Sequence, residues 1–249
     1  MSGHSKWSSI KHKKAAVDAK RGKIFTKIIR EITVAAKMGG PDPDANPRLR
    51  AAVQNARGQN MPNDTVTRAI KKGSGGNDGV EYEEVIYEGF GPANVAVVIQ
   101  ALTDNRNRTI ASIRTAFNKY NGSLGPANSV QFMFDRMGSI LIPTSVVDED
   151  TLTEAVLDAG GDDLELVDDH FQVLCSLENF EAVKAAMEEK GWEAKESGLV
   201  QVPQNKTLIS NKEEAEKVMN FIDLLEEDDD VQKVFTNFDV DDALLAEFG

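Results

Sequence analysis

The sequence predicts an α+β protein with an N-terminal domain of three helices followed by two α/β sandwich domains. Two observations support this fold class. Apolar residues recur at helical spacing up to about residue 72, whereas strand-like runs alternate with helical ones from residue 82 onward. A glycine-rich run at 73–79 separates the two patterns and is typical of a hinge. The 249 residues are enough for two or three domains, each with its own core.

Local signals define the three helices. The first is predicted over about 15–38, where isoleucines recur on one face. Asn46 can cap the second helix because its side chain can accept a free N–H of the first turn, and Pro47 suits the first position. Pro62 begins the third helix and Gly73 ends it.

A hairpin, a helix and a strand are predicted next. The hairpin strands lie at 82–88 and 95–102, the helix at 106–120 and the strand near 130–134. Residues 135–202 then follow the order βαββαβ, which is that of a ferredoxin-like domain.

One helix at 212–225 and one short strand at 231–235 remain, and this pair is too small to be a domain. We expect it to complete the sheet begun by the hairpin, so that the ferredoxin-like unit is inserted into the middle domain. The predicted domains are 1–77, a basic arm plus the helical domain; 78–134 and 203–240, the discontinuous α/β domain; and 135–202, the inserted ferredoxin-like domain.

Charge is divided unevenly along the chain. Residues 1–72 hold 16 Lys and Arg against 5 Asp and Glu, a net charge of +11, whereas residues 73–249 hold 12 against 36, a net charge of −24. The formal total of −13 therefore conceals a basic segment of the kind that neutralises phosphates. Residues 143–249 alone hold 7 against 29, so we expect that part to face away from nucleic acid.

Composition indicates a cytoplasmic protein without a membrane partner. The sequence has no run of about 18 apolar residues that could span a bilayer. The N-terminal cations are not followed by the apolar stretch of a signal peptide. The single cysteine, Cys175, excludes an intramolecular disulfide and a zinc site built from cysteines.

No motif for catalysis is present in the sequence. It lacks the P-loop pattern and the G-x-S-x-G motif of serine hydrolases. The three histidines have no spacing that suits a transition metal. Cys175 lies in an apolar strand pattern, where a buried structural thiol is expected. We therefore expect a protein that is not an enzyme, with no cofactor, no metal site and no small-molecule substrate.

Four carboxylate clusters leave one enzymatic alternative open. They lie at 162–163, 168–169, 226–230 and 239–242. If the fold brought them together they could bind Mg²⁺ for phosphoryl transfer. A charged run in a loop or at a helix end is more often a solvated surface, and we favour that interpretation.

The N-terminal arm combines cations with one aromatic residue. This combination lets ammonium groups contact phosphates while an indole stacks on an exposed base. The candidate nucleic-acid-binding residues of the arm are Lys6, Trp7, Lys11, His12, Lys13 and Lys14. The alternative is that Trp7 folds back as a hydrophobic clamp and the lysines only keep a tail soluble.

Further candidates lie on the first helix. Lys23, Lys27 and Arg30, with Lys37, lie opposite its apolar stripe, and Lys20 and Arg21 precede them in the same helix. A solvent-exposed face usually mixes charges of both signs, whereas this one has only Glu31 at its edge. The pattern therefore favours binding over an ordinary solvated face.

A smaller basic motif, T-D-N-R-N-R-T at 103–109, joins a strand to the start of a helix. Arg106 and Arg108, together with the free N–H groups of the first turn, suit a phosphate. Asp104 or Asn105 can also serve as an ordinary helix cap, and the two roles are compatible.

Several motifs together resemble those of the YebC family. They are GHSKW at 3–7, IKHKK at 10–14, KRGK at 20–23, MP at 61–62 with RAIKKG at 68–73, YEG at 87–89 with GP at 91–92, and TDNRNRT at 103–109. The resemblance extends over essentially the whole chain. It implies three domains around a cleft, and a cytoplasmic regulator of gene expression without catalytic residues.

The resemblance leaves two kinds of regulator open. Some family members look like DNA-binding transcriptional regulators, whereas mitochondrial relatives look like translational activators and some bacterial ones like ribosome-associated factors. We expect a nucleic-acid-binding transcriptional regulator, and the alternative is a translation factor that binds ribosomal RNA and the ribosome. The helices show no clear recognition-helix signature or dimerisation element, which weakens the case for sequence-specific operator reading.

Overall fold

The computed structural model describes residues 17–75, 81–241 and 244, with side chains from residue 22 onward. These residues form two compact units. The first contains the described residues up to 23, 81–135 and those from 201 onward, and the second contains 24–75 and 136–200. The predicted three-domain boundaries stay a prediction.

Three helices come first, as predicted. They are α1 (Val17–Gly39), α2 (Pro47–Gly58) and α3 (Asn63–Ser74). Asn46 caps α2, since its Oδ1 accepts the N–H of Leu49 at 3.1 Å. Its Nδ2 donates to the carbonyl oxygens of Ala35 at 2.8 Å and Gly40 at 2.9 Å, so one buried side chain also joins α2 to the end of α1.

The helices α1 and α3 pack at backbone distance. A Cβ on Gly73 would overlap the carbonyl oxygen of Thr33. The hydroxyl of Thr33 lies 3.5 Å from the carbonyl oxygen of Ala69, one turn earlier on α3. Because this contact buries one face of α3, the opposite face points to solvent.

The remaining elements alternate strands and helices. In chain order they are β1 (Glu83–Phe90), β2 (Ala96–Thr103), α4 (Arg106–Lys119), β3 (Ser123–Leu124), β4 (Phe134–Pro143), α5 (Glu149–Asp158), β5 (Asp163–Val167), β6 (His170–Cys175), α6 (Phe180–Glu189), β7 (Glu196–Pro203), β8 (Thr207–Ile209), α7 (Lys212–Glu226), β9 (Val231–Thr236) and β10 (Phe238–Val240). This mixed arrangement after three helices confirms the predicted α+β class.

The first unit has a four-stranded sheet in the order β3-β1-β2-β9. The strands β1 and β2 form the predicted hairpin, and β9 pairs with β2, so β9 completes the sheet as expected. The helices α4 and α7 cover one face, where the rings of Phe117 and Phe221 meet edge to face at 4.9 Å. A short parallel pair, β8 with β10, was not predicted.

The second sheet has the order β5-β6-β4-β7, which is the order of a ferredoxin-like fold. This ferredoxin-like part packs against α2, which belongs to the same unit. The ammonium of buried Lys184 on α6 donates to the side chain of Gln54 on α2 at 2.9 Å. A Cβ on Gly58 would overlap the carbonyl oxygen of Lys195, so α2 approaches the main chain just before β7 closely.

The strand predicted at 130–134 is wrong. The structure has a 3₁₀ turn at Gln131–Met133, and β4 begins only at Phe134. The cause is the buried carboxylate of Glu88, which accepts the N–H groups of Asn128, Val130 and Gln131 at 2.8–3.0 Å. These N–H groups are therefore not available for hydrogen bonds to a neighbouring strand.

None of the helices in the described part of the chain is both long enough and apolar enough to span a membrane.

Candidate nucleic-acid interface

Part of the predicted interface lies outside the described residues. This holds for the whole arm, namely Lys6, Trp7, Lys11, His12, Lys13 and Lys14. Lys20 and Arg21 lie in α1, but their side chains are outside the described part. The side chains of the other five candidates, Lys23, Lys27, Arg30, Arg106 and Arg108, are described.

The described part of α1 is only partly amphipathic, because residues 32–36 are all buried. Ile28 and Ile32 are buried in the helical core, whereas Lys23 and Lys37 are exposed. Lys27 and Arg30 are half-buried, and each has an interaction partner. The ammonium of Lys23 donates to the main-chain oxygen of Glu227 at 3.1 Å, a contact within the first unit.

The one acidic residue at the edge of this face is neutralised by a cation from α2. The guanidinium of Arg48 holds Glu31 in a bidentate pair, with Nε 2.6 Å from Oε1 and Nη2 3.0 Å from Oε2. Sequence reasoning missed this pair because the residues lie 17 positions apart on different helices. This ion pair neutralises the charge of Glu31.

The motif at 103–109 positions its two arginines differently. Asn105 caps α4, because its Oδ1 accepts the N–H of Arg108 at 3.1 Å. Arg106 is exposed, with its guanidinium 3.6 Å from the carboxylate of Glu83. The phenol of nearby Tyr87 is buried, and burial raises its pKa although the charge of Arg106 opposes the shift. Arg106 therefore lies at the surface, close to the phenol of Tyr87.

Arg108 is held by carboxylates. Its Nη2 lies 2.7 Å from Oδ2 of Asp230 and 2.8 Å from Oδ1 of Asp104. The carboxylate of Asp230 is buried, with a side chain that is 4% exposed, whereas the side chain of Arg108 is 52% exposed. Hydrogen bonds to Asp230, and then to Asp104, raise the pKa of Arg108. The guanidinium thus has a structural role and still reaches solvent.

Two threonines complete the network around Asp230. The hydroxyl of Thr109 lies 2.7 Å from Oδ2 of Asp230, and that of Thr103 lies 3.1 Å from the same oxygen. Both threonines belong to the motif at 103–109. Sequence reasoning missed Asp230 because it lies 122 residues after Arg108 and reads as one member of an acidic run.

The carboxylate clusters and Cys175 were the other candidates for chemistry. Among the described residues, no three His, Cys, Asp or Glu side chains lie close enough together to hold a metal ion. Cys175 is buried on β6, as expected from its apolar pattern. Burial, and then the charge of Asp162, raise the pKa of its thiol to about 11.

Two family models match successive parts of the chain. The model of the TACO1/YebC protein N-terminal domain matches residues 5–76, and that of the TACO1/YebC second and third domain matches residues 82–238. Together they extend over nearly the whole sequence.

Similar proteins match over almost their full length. A probable transcriptional regulatory protein, GM21_0933 of Geobacter sp. strain M21, is 51% identical over 240 residues, which are 96% of each chain. Another, HRM2_04000 of Desulforapulum autotrophicum, is 52% identical over 244 residues, 98% of each chain. The crystal structure of a conserved hypothetical protein, Aq1575 from Aquifex aeolicus, is similar with a TM-score of 0.86 and 42% identity, and the match extends over 92% of this chain and 94% of that one.

Proposed function

The chain belongs to the TACO1/YebC family, and from this premise we propose that it is a cytoplasmic, non-enzymatic regulator of gene expression that binds nucleic acid. The simplest form of the proposal is a DNA-binding regulator of transcription. The names of the relatives support the regulatory role, since several are probable transcriptional regulatory proteins. The charge of the N-terminal segment supports nucleic acid as the partner.

The observation that carries the proposal is the positive charge of the basic segment, residues 1–72. Lys23, Lys27, Arg30 and Lys37 follow one face of α1, and Arg48 neutralises Glu31 at the edge of that face. The proposed contacts are Lys6, Trp7, Lys11, His12, Lys13, Lys14, Lys20, Arg21, Lys23, Lys27, Arg30, Arg106 and Arg108. Arg108 stays among them because half of its side chain is exposed beyond the pair with Asp230.

The acidic part of the chain limits where contact occurs. Residues 143–249 carry 29 Asp and Glu against 7 Lys and Arg, so they repel a phosphate backbone. Contact is therefore confined to the basic segment and to the exposed arginines at the start of α4. The acidic part suppresses non-specific coating of nucleic acid by the rest of the molecule.

A ribosome-associated translation factor is the second candidate function. Phosphate contacts fix position but carry no sequence information, so the same cations fit ribosomal RNA as well as DNA. The sequence also lacks a dimerisation element of the kind that places recognition helices on a palindromic operator.

Crosslinking in living cells, followed by sequencing of the bound DNA and RNA, distinguishes these functions. A transcriptional regulator gives enriched genomic DNA, whereas a translation factor gives enriched ribosomal RNA and sediments with ribosomes. Changing Lys11, Lys13 and Lys14 to Glu should abolish either signal. The matched control changes Lys190, Lys212 and Lys217, which are exposed cations of the acidic part, to Glu. The proposal fails if neither nucleic acid is enriched, or if both triple variants behave alike.

A further inference from the structure

We propose that α3 carries a second phosphate-binding strip, formed by Arg68 and Lys71 and here named the α3 strip. The proposal rests on the proposed function and extends it to residues that the charge pattern of α1 did not indicate. The ligand is the phosphodiester backbone of DNA or RNA. Three observations support this inference: the orientation of α3, the hydrogen-bond partners of the two cations, and the local excess of positive charge.

Helix packing fixes which face of α3 is outward. Val66, Ala69 and Gly73 are buried, and these positions recur at the spacing of one helical face. Gly73 leaves no room for a side chain against Thr33, so α3 cannot rotate without disrupting this packing. Arg68 and Lys71 lie on the opposite face, and both are exposed.

The two cations are not neutralised by carboxylates of the described residues. Among the described residues, the guanidinium of Arg68 bonds to its own helix, with Nε 3.2 Å from the main-chain oxygen of Asp64 and Nη2 3.3 Å from the hydroxyl of Thr65. The ammonium of Lys71 has no hydrogen bond or ion pair within the described part of the chain. By contrast, the guanidinium of Arg48 on α2 forms an ion pair with the carboxylate of Glu31.

The surroundings of the strip are also basic. Residues 45–75 contain six Lys and Arg, and Asp64 is their one acidic residue. Lys71 and the neighbouring Lys72 lie in the last turn of α3, where cations also stabilise the helix end. Arg68 lies about one turn before them, so the helix end alone does not account for both members of the strip. Exposed cations on a rigid helix suit sequence-independent contact with phosphates.

The test compares two double variants of the full chain by fluorescence anisotropy with a labelled duplex DNA and a labelled RNA, over a series of salt concentrations. R68Q/K71Q removes the α3 strip. R114Q/K119Q removes the same charge from exposed positions on α4 and serves as the matched control. The thermal midpoint of each variant reports whether the substitution disturbs the fold.

Removing one cation that neutralises a phosphate should reduce the slope of log K against log[salt] by about 0.9, so R68Q/K71Q should be shallower than wild type by about 2. The control should keep the wild-type slope, and neither variant should change its thermal midpoint. A wild-type slope in R68Q/K71Q would overturn the α3 strip while leaving the proposed function intact. Wild-type protein without salt-dependent binding would overturn the proposed function and the strip with it. Tighter binding of poly-L-glutamate than of nucleic acid would contradict the strip in favour of an acidic protein partner.

Discussion

Arg108 and Asp230 lie 122 residues apart in sequence and form a bidentate ion pair at the start of α4. One oxygen of the carboxylate also accepts the hydroxyls of Thr103 and Thr109. Asp230 directly precedes β9, and its main-chain oxygen accepts the N–H of Leu102 at 2.8 Å. The pair therefore fixes β9 against the motif at 103–109.

Replacing Arg108 by Met should lower the free energy of unfolding by about 1–2 kcal/mol, because the buried carboxylate of Asp230 loses its charged donor while the guanidinium itself is half exposed. Urea denaturation measures the change. Arg108→Lys should recover only part of the loss, since an ammonium cannot reproduce the bidentate geometry. A double-mutant cycle with Asp230→Asn isolates the pair. No coupling in that cycle would leave Arg108 with no structural role.

Replacing Glu88 by Gln should lower the free energy of unfolding by about 2–3 kcal/mol, because an amide has one acceptor oxygen for three N–H groups and adds a donor facing them. Equilibrium denaturation measures the loss. Glu84 is exposed on the same strand, so Glu84→Gln should change stability by less than about 0.5 kcal/mol. Equal effects of the two substitutions would refute the role given to Glu88.

Replacing Asn46 by Ala should lower the free energy of unfolding by about 2–3 kcal/mol, since three hydrogen bonds of a buried side chain are removed together. Asn211 caps α7 with one hydrogen bond, to the N–H of Glu214, so Asn211→Ala should reduce stability by about 1 kcal/mol. Denaturation of both variants under the same conditions ranks the two caps. The reverse order would contradict the account of Asn46.

The thiol of Cys175 makes stability depend on alkaline pH. Its pKa in the folded protein is about 11, above the ordinary value of 9.0, so the unfolded chain releases this proton first. The contribution of the neutral thiol to the free energy of unfolding is complete below about pH 9 and is lost as pH rises towards 11. Wild type should therefore lose more stability over this range than Cys175→Ala, measured by urea denaturation at each pH. Parallel pH curves for the two proteins would contradict the buried, neutral thiol.

Reactivity gives an independent measurement of the same group. Because the thiolate is the nucleophile, alkylation of Cys175 by iodoacetamide at pH 8 should be slow in the native protein and become fast once urea unfolds it. Equal rates in the two states would mean that the thiol is accessible in the folded protein.

The helical part and the hairpin could be predicted because their signals are local. Asn46 and Pro47 lie at the start of the helix they define, and the predicted hairpin strands pair as expected. Gly73, predicted to end the third helix, is instead a buried position within it, and the helix ends at Ser74. The strand at 130–134 could not be predicted correctly, because Glu88 takes its N–H groups from about 40 residues away. The strands β8 and β10 have three residues each, too few to show an alternating pattern.

In the candidate interface too, features set by neighbouring residues could be predicted, whereas contacts between distant residues could not. The basic face of α1 follows from helical spacing, and Asn105 is recognised as a cap from its neighbours. The partners of Glu31 and Arg108 come from other elements, and spacing along the chain carries no signal for them. The packing of Gly73 against Thr33 on α1 identifies the face of α3 that is exposed to solvent.

The salt dependence of nucleic-acid affinity tests the central claim most directly. If about five cations of the basic segment engage duplex phosphates, log K for the full chain should fall against log[salt] with a slope of roughly −4 to −5. A fluorescence anisotropy titration of wild-type protein over a series of salt concentrations measures this slope. A flat dependence would contradict the claim that this acidic protein holds nucleic acid through its basic N-terminal segment.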